Sequence, residues 1–199
     1  MPRDPSYDRE AALQSAMNLF WVKGYNATSL KDLEAALKMR PGSIYAAFQS
    51  KEALFHEALD LYAGRMEAEL AATIANAASP LGALRGYLVS LGGLEPCEKP
   101  STACMLVKSL LEIQTDNPVL RGAVLAHLEK VRQHLTQAFV NAQAAGEIPA
   151  DADPDRLAQR MQTYVFGLKI QAQRETDPVA MQRLADDLSQ EIAGLARAA

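Results

Sequence analysis

Along most of this chain apolar residues return at steps of three and four, the period of a helix with one face turned inward. Residues 1–7 hold Pro2 and Pro5 and read as a loose arm. From about Asp8 the stripe Leu13, Ala16, Met17 and Phe20 predicts a helix to Lys23, with Gly24 as its stop. Leu30, Leu33 and Leu37 predict a short second helix, with Ser29 at its cap and Asp32 in its first turn. The pattern breaks at Lys38-Met39-Arg40. Pro41 then stands where a first helical residue tolerates proline, because that N–H would have no partner anyway. Ile44 and Phe48 form the inward face of this third helix. Ser50 caps a fourth, unbroken apart from Gly64 as far as Asn76; its about 26 residues reach ~39 Å.

The second half keeps the same period. Ala77-Ala78-Ser79-Pro80 ends the long helix, and another runs from about Leu81 to Leu91 before a loop marked by Gly92-Gly93, Pro96 and Pro100. Leu106, Leu110 and Ile113 place a helix over Thr102 to Gln114. Asn117-Pro118 opens a long one to about Ala145, with the stripe Leu120, Val124, Leu128, Val131, Leu135 and Phe139. Leu157, Met161, Tyr164, Leu168 and Ala172 carry a helix from Asp155 to Arg174. Asp177-Pro178 starts the last, with Met181, Leu184, Leu188, Ile192 and Leu195. Strand-like alternation is absent. The expected fold is all-α, about nine helices, with a three-helix N-terminal domain over residues 1–55 and a helical bundle over 56–199.

The stretch from Thr28 to Leu54 has the plan of a helix-turn-helix, whose second helix enters the DNA major groove by its N-terminal end. With Ile44 and Phe48 turned inward, the outer face carries Pro41, Gly42, Ser43, Tyr45 and Ala46, mostly small. Tyr45 and Lys51 offer a phenol and an ammonium at the flanks, where phosphates lie. A plain three-helix core fragment could show similar spacing.

The run G-Y-N-A-T-S-L-K-D-L from Gly24, followed by P-G-S-I-Y-A-A-F-Q-S-K-E-A-L from Pro41, resembles the DNA-binding segment of TetR-type (tetracycline-repressor-like) regulators over roughly the first sixty residues. The remainder resembles that family in length and helical plan alone. The resemblance implies a DNA-binding set of Thr28, Ser29, Arg40, Pro41, Gly42, Ser43, Tyr45, Ala46 and Lys51. Tyr45, Lys51, Thr28 and Ser29 would contact phosphate, while Pro41, Gly42, Ser43 and Ala46 would face the bases. Many members of the family carry larger or polar residues where Ala46 and Ala47 stand; an alanine methyl can pack on a thymine methyl.

Composition narrows the reading further. Apolar residues make up 49% and aromatics 6%, a balance that favours helices. The formal charge of -4 excludes a uniformly basic surface. Residues 1–55 nevertheless carry seven Lys/Arg against six Asp/Glu, so the relatively basic part is the N-terminal one. The polar N-terminus shows no secretory signal, and no apolar run approaches the roughly twenty residues of a membrane span. A soluble, cytoplasmic protein is expected. The two cysteines, Cys97 and Cys104, do not suggest a disulfide scaffold. No phosphate loop, G-x-S-x-G elbow, H-E-x-x-H or C-x-x-C is present, which argues against an all-α enzyme and against a cofactor or metal. His127 and His134 lie two turns apart, too far to share one ion, and are expected on a polar face. Trp21 and Tyr25 are expected to pack rather than form a base-stacking platform.

A bundle binds small molecules between its helices, so effector contacts are sought in the C-terminal part. Cys104, near the start of an apolar helix, is either a small core residue or a redox or electrophile sensor, with Cys97 as its possible resolving partner. Glu112 is either a polar anchor in a cavity or a paired surface acid; Gln162 and Tyr164 are similar candidates. The segment Tyr164–Ile170 is apolar nearly all round, more than one core stripe needs. The expectation is a homodimer sealed by the last two helices through Tyr164, Phe166, Leu168, Leu184, Leu188 and Ile192. The whole reads as a ligand-responsive, dimeric DNA-binding regulator, most often a repressor. The alternatives are a helix-turn-helix interaction or DNA-architecture factor without a ligand, and a Cys104-based sensor.

Overall fold

The computed structural model describes residues 8–75, 77–93, 101, 103–113 and 117–197. Nine α-helices occupy them, with no strand among the described residues: α1 Arg9–Lys23, α2 Leu30–Leu37, α3 Pro41–Phe48, α4 Lys51–Ala75, α5 Pro80–Ser90, α6 Met105–Glu112, α7 Pro118–Ala144, α8 Pro154–Gln171 and α9 Pro178–Ala193. A 3-10 turn, Gly194–Arg197, follows. The all-α architecture read from the periodicity is the one found. Pro96, Cys97, Pro100, Thr102 and Gln114 lie outside the described residues. No helix described is long and apolar enough to cross a membrane.

Local chemistry fixes the helix starts. Asp8, Ser79, Asp153 and Asp177 each accept hydrogen bonds from backbone N–H groups of the first turn they precede. Asn117 Oδ1 does the same for Leu120 N–H. In α5, α7, α8 and α9 a proline sits directly behind the cap, its φ already helical and its absent N–H no loss. The end of α8 comes at Gln171, three residues before the expected Arg174. There the chain tightens, with Gln173 N–H donating to Ile170 O and Arg174 N–H to Gln171 O, an i to i−3 spacing.

The chain divides into two compact units, one of Met1–Arg65 with Met105–His127, the other of Met66–Cys104 with Leu128–Ala199. In the first, Ala16, Met17 and Phe20 of α1 are buried with Leu33 and Leu37 of α2, Ile44 and Phe48 of α3, and Leu54, Phe55, Ala58 and Leu59 of α4. Phe55 takes Phe20 edge-on at 5.1 Å and Tyr25 at 4.8 Å, and Trp21 meets Tyr62 at 4.9 Å. These aromatics are packing, as expected. His127 departs from expectation: it is 8% exposed, with Nε2 2.8 Å from Asp60 Oδ1. The heptad spacing that put it beside His134 gave no sign of the acid on α4.

In the second unit Leu81, Leu84 and Leu88 of α5, Val131, Leu135 and Phe139 of α7, Met161 and Leu168 of α8, and Met181, Ala185 and Ile192 of α9 share one core. Glu147, just past α7, accepts from Leu81 N–H at 2.7 Å and so holds the start of α5.

Candidate nucleic-acid interface

Two short helices and the turns around them build the outward face. Ser29 and Asp32 cap α2 reciprocally: Ser29 Oγ accepts from Asp32 N–H, and Asp32 Oδ2 accepts from Ser29 N–H at 2.7 Å. Lys23 Nζ lies 2.6 Å from the same carboxylate. Hydrogen bonds from Lys23, then from Ser29, hold the Asp32 carboxyl well below the usual carboxylate range. Lys38 takes the left-handed conformation at φ 54° and reverses the chain, and buried Met39 plugs the turn. Pro41 then starts α3, with Arg40 at the cap position and no side-chain cap.

The face of α3 is sorted by a 3.6-residue turn. Ile44 and Phe48 are 1% exposed and seat the helix. Arg40, Gly42, Ser43, Tyr45 and Ala46 are exposed and Pro41 is half-buried. A Cβ added at Gly42 would meet nothing within 4 Å. Lys51, in the first turn of α4, lies with Nζ 4.4 Å from the centre of the Tyr25 ring. Burial lowers the pKa of its ammonium, against the pull of Glu112 and Asp32. Ser29 is exposed, but its hydroxyl is already engaged in the cap. Thr28 does not belong with this group: it is 1% exposed, and its hydroxyl donates to the Gly24 carbonyl. Its role is to fold the α1–α2 turn, which the resemblance could not reveal because it matches residue types rather than directions.

Residues 12–58 match the model of the bacterial regulatory proteins of the tetR family. Residues 92–188 match that of the tetracyclin repressor-like C-terminal domain. The HTH-type transcriptional repressor ComR of Escherichia coli (strain K12) is 31% identical over 171 residues, covering 85% of this chain and 81% of ComR. The chain belongs to the TetR family. This TetR-family DNA-binding regulator is also 24% identical over 172 residues to the repressor DhaR of Mycobacterium sp. (strain GP1), covering 84% of the chain and 85% of DhaR. Among solved structures, a cysteine-substituted form of the TetR-family regulator CifR, complexed with a 26-base-pair operator duplex, superposes with a TM-score of 0.86 at 29% identity. That likeness covers 96% of this chain and 98% of CifR.

Elsewhere in the TetR-family regulator the expected effector residues each have their own surroundings. Cys104 is buried at 7% exposure. Gln162 Nε2 donates to the Leu128 carbonyl at 2.7 Å, a tie between α8 and α7. Tyr164 donates to Glu191 Oε2 and accepts from Arg160 Nε, an exposed cluster of α8 and α9. Burial and the Glu191 carboxylate raise the Tyr164 pKa, and Arg160 opposes them. Glu112 is engaged at the α1–α2 turn, accepting from Tyr25 and Asn26 N–H. None of the four lines the recess of about 320 Å³ between Ala71, Ile74, His134 and Asn141, nor that of about 240 Å³ beside Gln171, Arg174 and Leu184. The expected dimer set also separates. Leu168 and Ile192 are 1% exposed and committed to the chain's own core, and Leu184 and Leu188 pack against it. Tyr164 and Phe166 stay half-exposed, and the apolar residue α8 leaves furthest out is Ile170, at 53%.

Proposed function

We propose that this regulator is a homodimeric repressor that a small molecule releases from its operator. The observation that carries the reading is the outward face of α3, where Gly42, Ser43 and Ala46 are small and exposed beside the exposed Tyr45, opposite the Ile44–Phe48 seat. Arg40, Pro41, Gly42, Ser43, Tyr45 and Ala46 are its base-side and flanking contacts, and Lys51 its phosphate contact, while Ser29 spends both of its donors on Asp32 and serves the cap instead. The uncapped start of α3 beside Arg40 suits phosphate, because first-turn N–H groups and the helix dipole both favour an anion. CifR in complex with its operator and the repressors ComR and DhaR support the same reading. Working on DNA, the regulator is cytoplasmic.

Residues 1–55 are the reading head in this proposal, and 56–199 dimerise and hold the effector. The outward positions Phe166, Gly167 and Ile170 of α8 are apolar or small and offer a second copy a surface. α4 starts right behind α3 and runs unbroken from Lys51 to Ala75. An effector with different affinity for two placements of that helix shifts the population between a DNA-competent state and another.

Selection of bound fragments from a random DNA pool tests the whole. Enriched sequences should hold two related half-sites about one helical turn apart, ~34–36 Å centre to centre. A lone half-site in every selected fragment ends the dimer proposal. Lys51→Met keeps an unbranched side chain of similar length and removes the charge, and with it the contact to the Tyr25 ring. It is expected to weaken binding to all sequences alike and to lower the slope of log affinity against log salt by about one unit. A changed base preference at an unchanged slope overturns the phosphate assignment.

A further inference from the structure

The end of α1 and the turn that follows it are gripped by one helix from far along the chain. Lys108 Nζ of α6 donates to the Trp21 and Val22 carbonyls, at 3.3 and 2.5 Å. These belong to the last turn of α1, where carbonyls lack helical partners and the dipole favours a cation. One helical turn further, the Glu112 carboxylate accepts from Tyr25 N–H at 3.0 Å through Oε2 and from Asn26 N–H at 2.5 Å through Oε1. The Glu112 carbonyl accepts in addition from Asn26 Nδ2 at 3.2 Å. Gly24 lies between the two grips, and a Cβ there would stand 2.5 Å from Glu112 Oε2. The close approach of the carboxylate therefore depends on a glycine at that place. Arg121 of α7 donates to the Leu110 and Ile113 carbonyls and holds the far end of α6 in turn.

We propose that Glu112 and Lys108 are positioning residues for DNA recognition, a two-point clamp by which α6 sets the α1–α2 turn and with it the presentation of α2 and α3. The chain leaves the clamp at Asn26, and Thr28 and Ser29 then close the turn and cap α2. The two side chains grip the turn by its backbone carbonyls and N–H groups at two points, so a displacement of α6 that carries both with it moves the backbone leading into α2. The clamp rests on the DNA-reading proposal and adds to it the element that governs the head. Both grips are ionic at one end, so substitutions that keep shape and remove charge open them.

The test uses the full chain and its selected operator. Glu112→Gln leaves one acceptor oxygen where two N–H groups need two, and its amide N–H₂ faces a donor. Operator affinity should fall about tenfold, the scale of one charge-assisted hydrogen bond, at an unchanged salt slope because no phosphate contact is lost. The Tyr25 and Asn26 amides should exchange faster with solvent. Lys108→Arg keeps donors at the carbonyls and should bind within about twofold of the parent. Lys108→Met, the second variant should Glu112→Gln fail to fold, should lose affinity as Glu112→Gln does. Faster amide exchange with affinity within twofold of the parent overturns the positioning role, and unchanged exchange overturns the clamp. A parent chain that enriches no DNA takes down the DNA-reading proposal and the positioning role with it; amide exchange, which needs no DNA, tells that failure from a clamp that does not form.

Discussion

Glutamate in place of Gly42 is expected to abolish operator binding and leave the fold at least as stable. Gly42 is the second residue of α3, exposed, with open space where a side chain would grow. Removing a glycine from a helix gains about 0.5–1 kcal/mol, and a carboxylate in the first turn about 0.3–1 kcal/mol more. The same carboxylate would meet DNA phosphates and base acceptors, and like charges brought together at an interface cost several kcal/mol. Affinity should drop by more than a hundredfold while the melting temperature stays level or rises by a few degrees. Fluorescence anisotropy on the selected operator and a thermal melt measure the two. Binding within tenfold of the parent, at the same salt, removes α3 from the groove.

What could be read from residues alone was what residues decide locally. The caps at Ser29, Ser50 and Asp177 and the prolines behind several helix starts act within one turn, and the structure has them where the sequence puts them. The outward face of α3 was legible by subtraction, since Ile44 and Phe48 claim the other side of an eight-residue helix. Failures came where a side chain had two possible directions and its partner lay far away. Thr28 can point to solvent or back to the carbonyl four residues earlier, and type does not choose between them. Glu112 finds its partners 86 and 87 residues upstream, so its place on an apolar helix left a cavity anchor and a paired acid both open. His127 was masked likewise by an acid on another helix. The apolar excess of Tyr164–Ile170 was real, but the period could not say which stripe the chain would keep. It keeps Val165 and Leu168 and leaves Ile170 outside.

Gly24→Ala should be the most damaging single-methyl change in the first unit. Its backbone sits at φ 87°, ψ 166°, a region that only glycine enters without strain of about 1–3 kcal/mol. The added methyl would also stand 2.5 Å from the Glu112 carboxylate. That side chain can withdraw, but withdrawal frees Tyr25 and Asn26 N–H, about 1 kcal/mol for each hydrogen bond not replaced by water. Both terms destabilise. In urea the midpoint of unfolding should fall at an unchanged slope, and operator affinity should fall with it because the clamp is open even in the folded chain. Gly64→Ala supplies the contrast: in the interior of α4, with nothing within 4 Å of the new methyl, it should stabilise by up to about 1 kcal/mol. The opposite signs follow from backbone conformation, since the chemical change is the same. A Gly24→Ala chain as stable as the parent would mean that neither the turn nor the carboxylate is held as described.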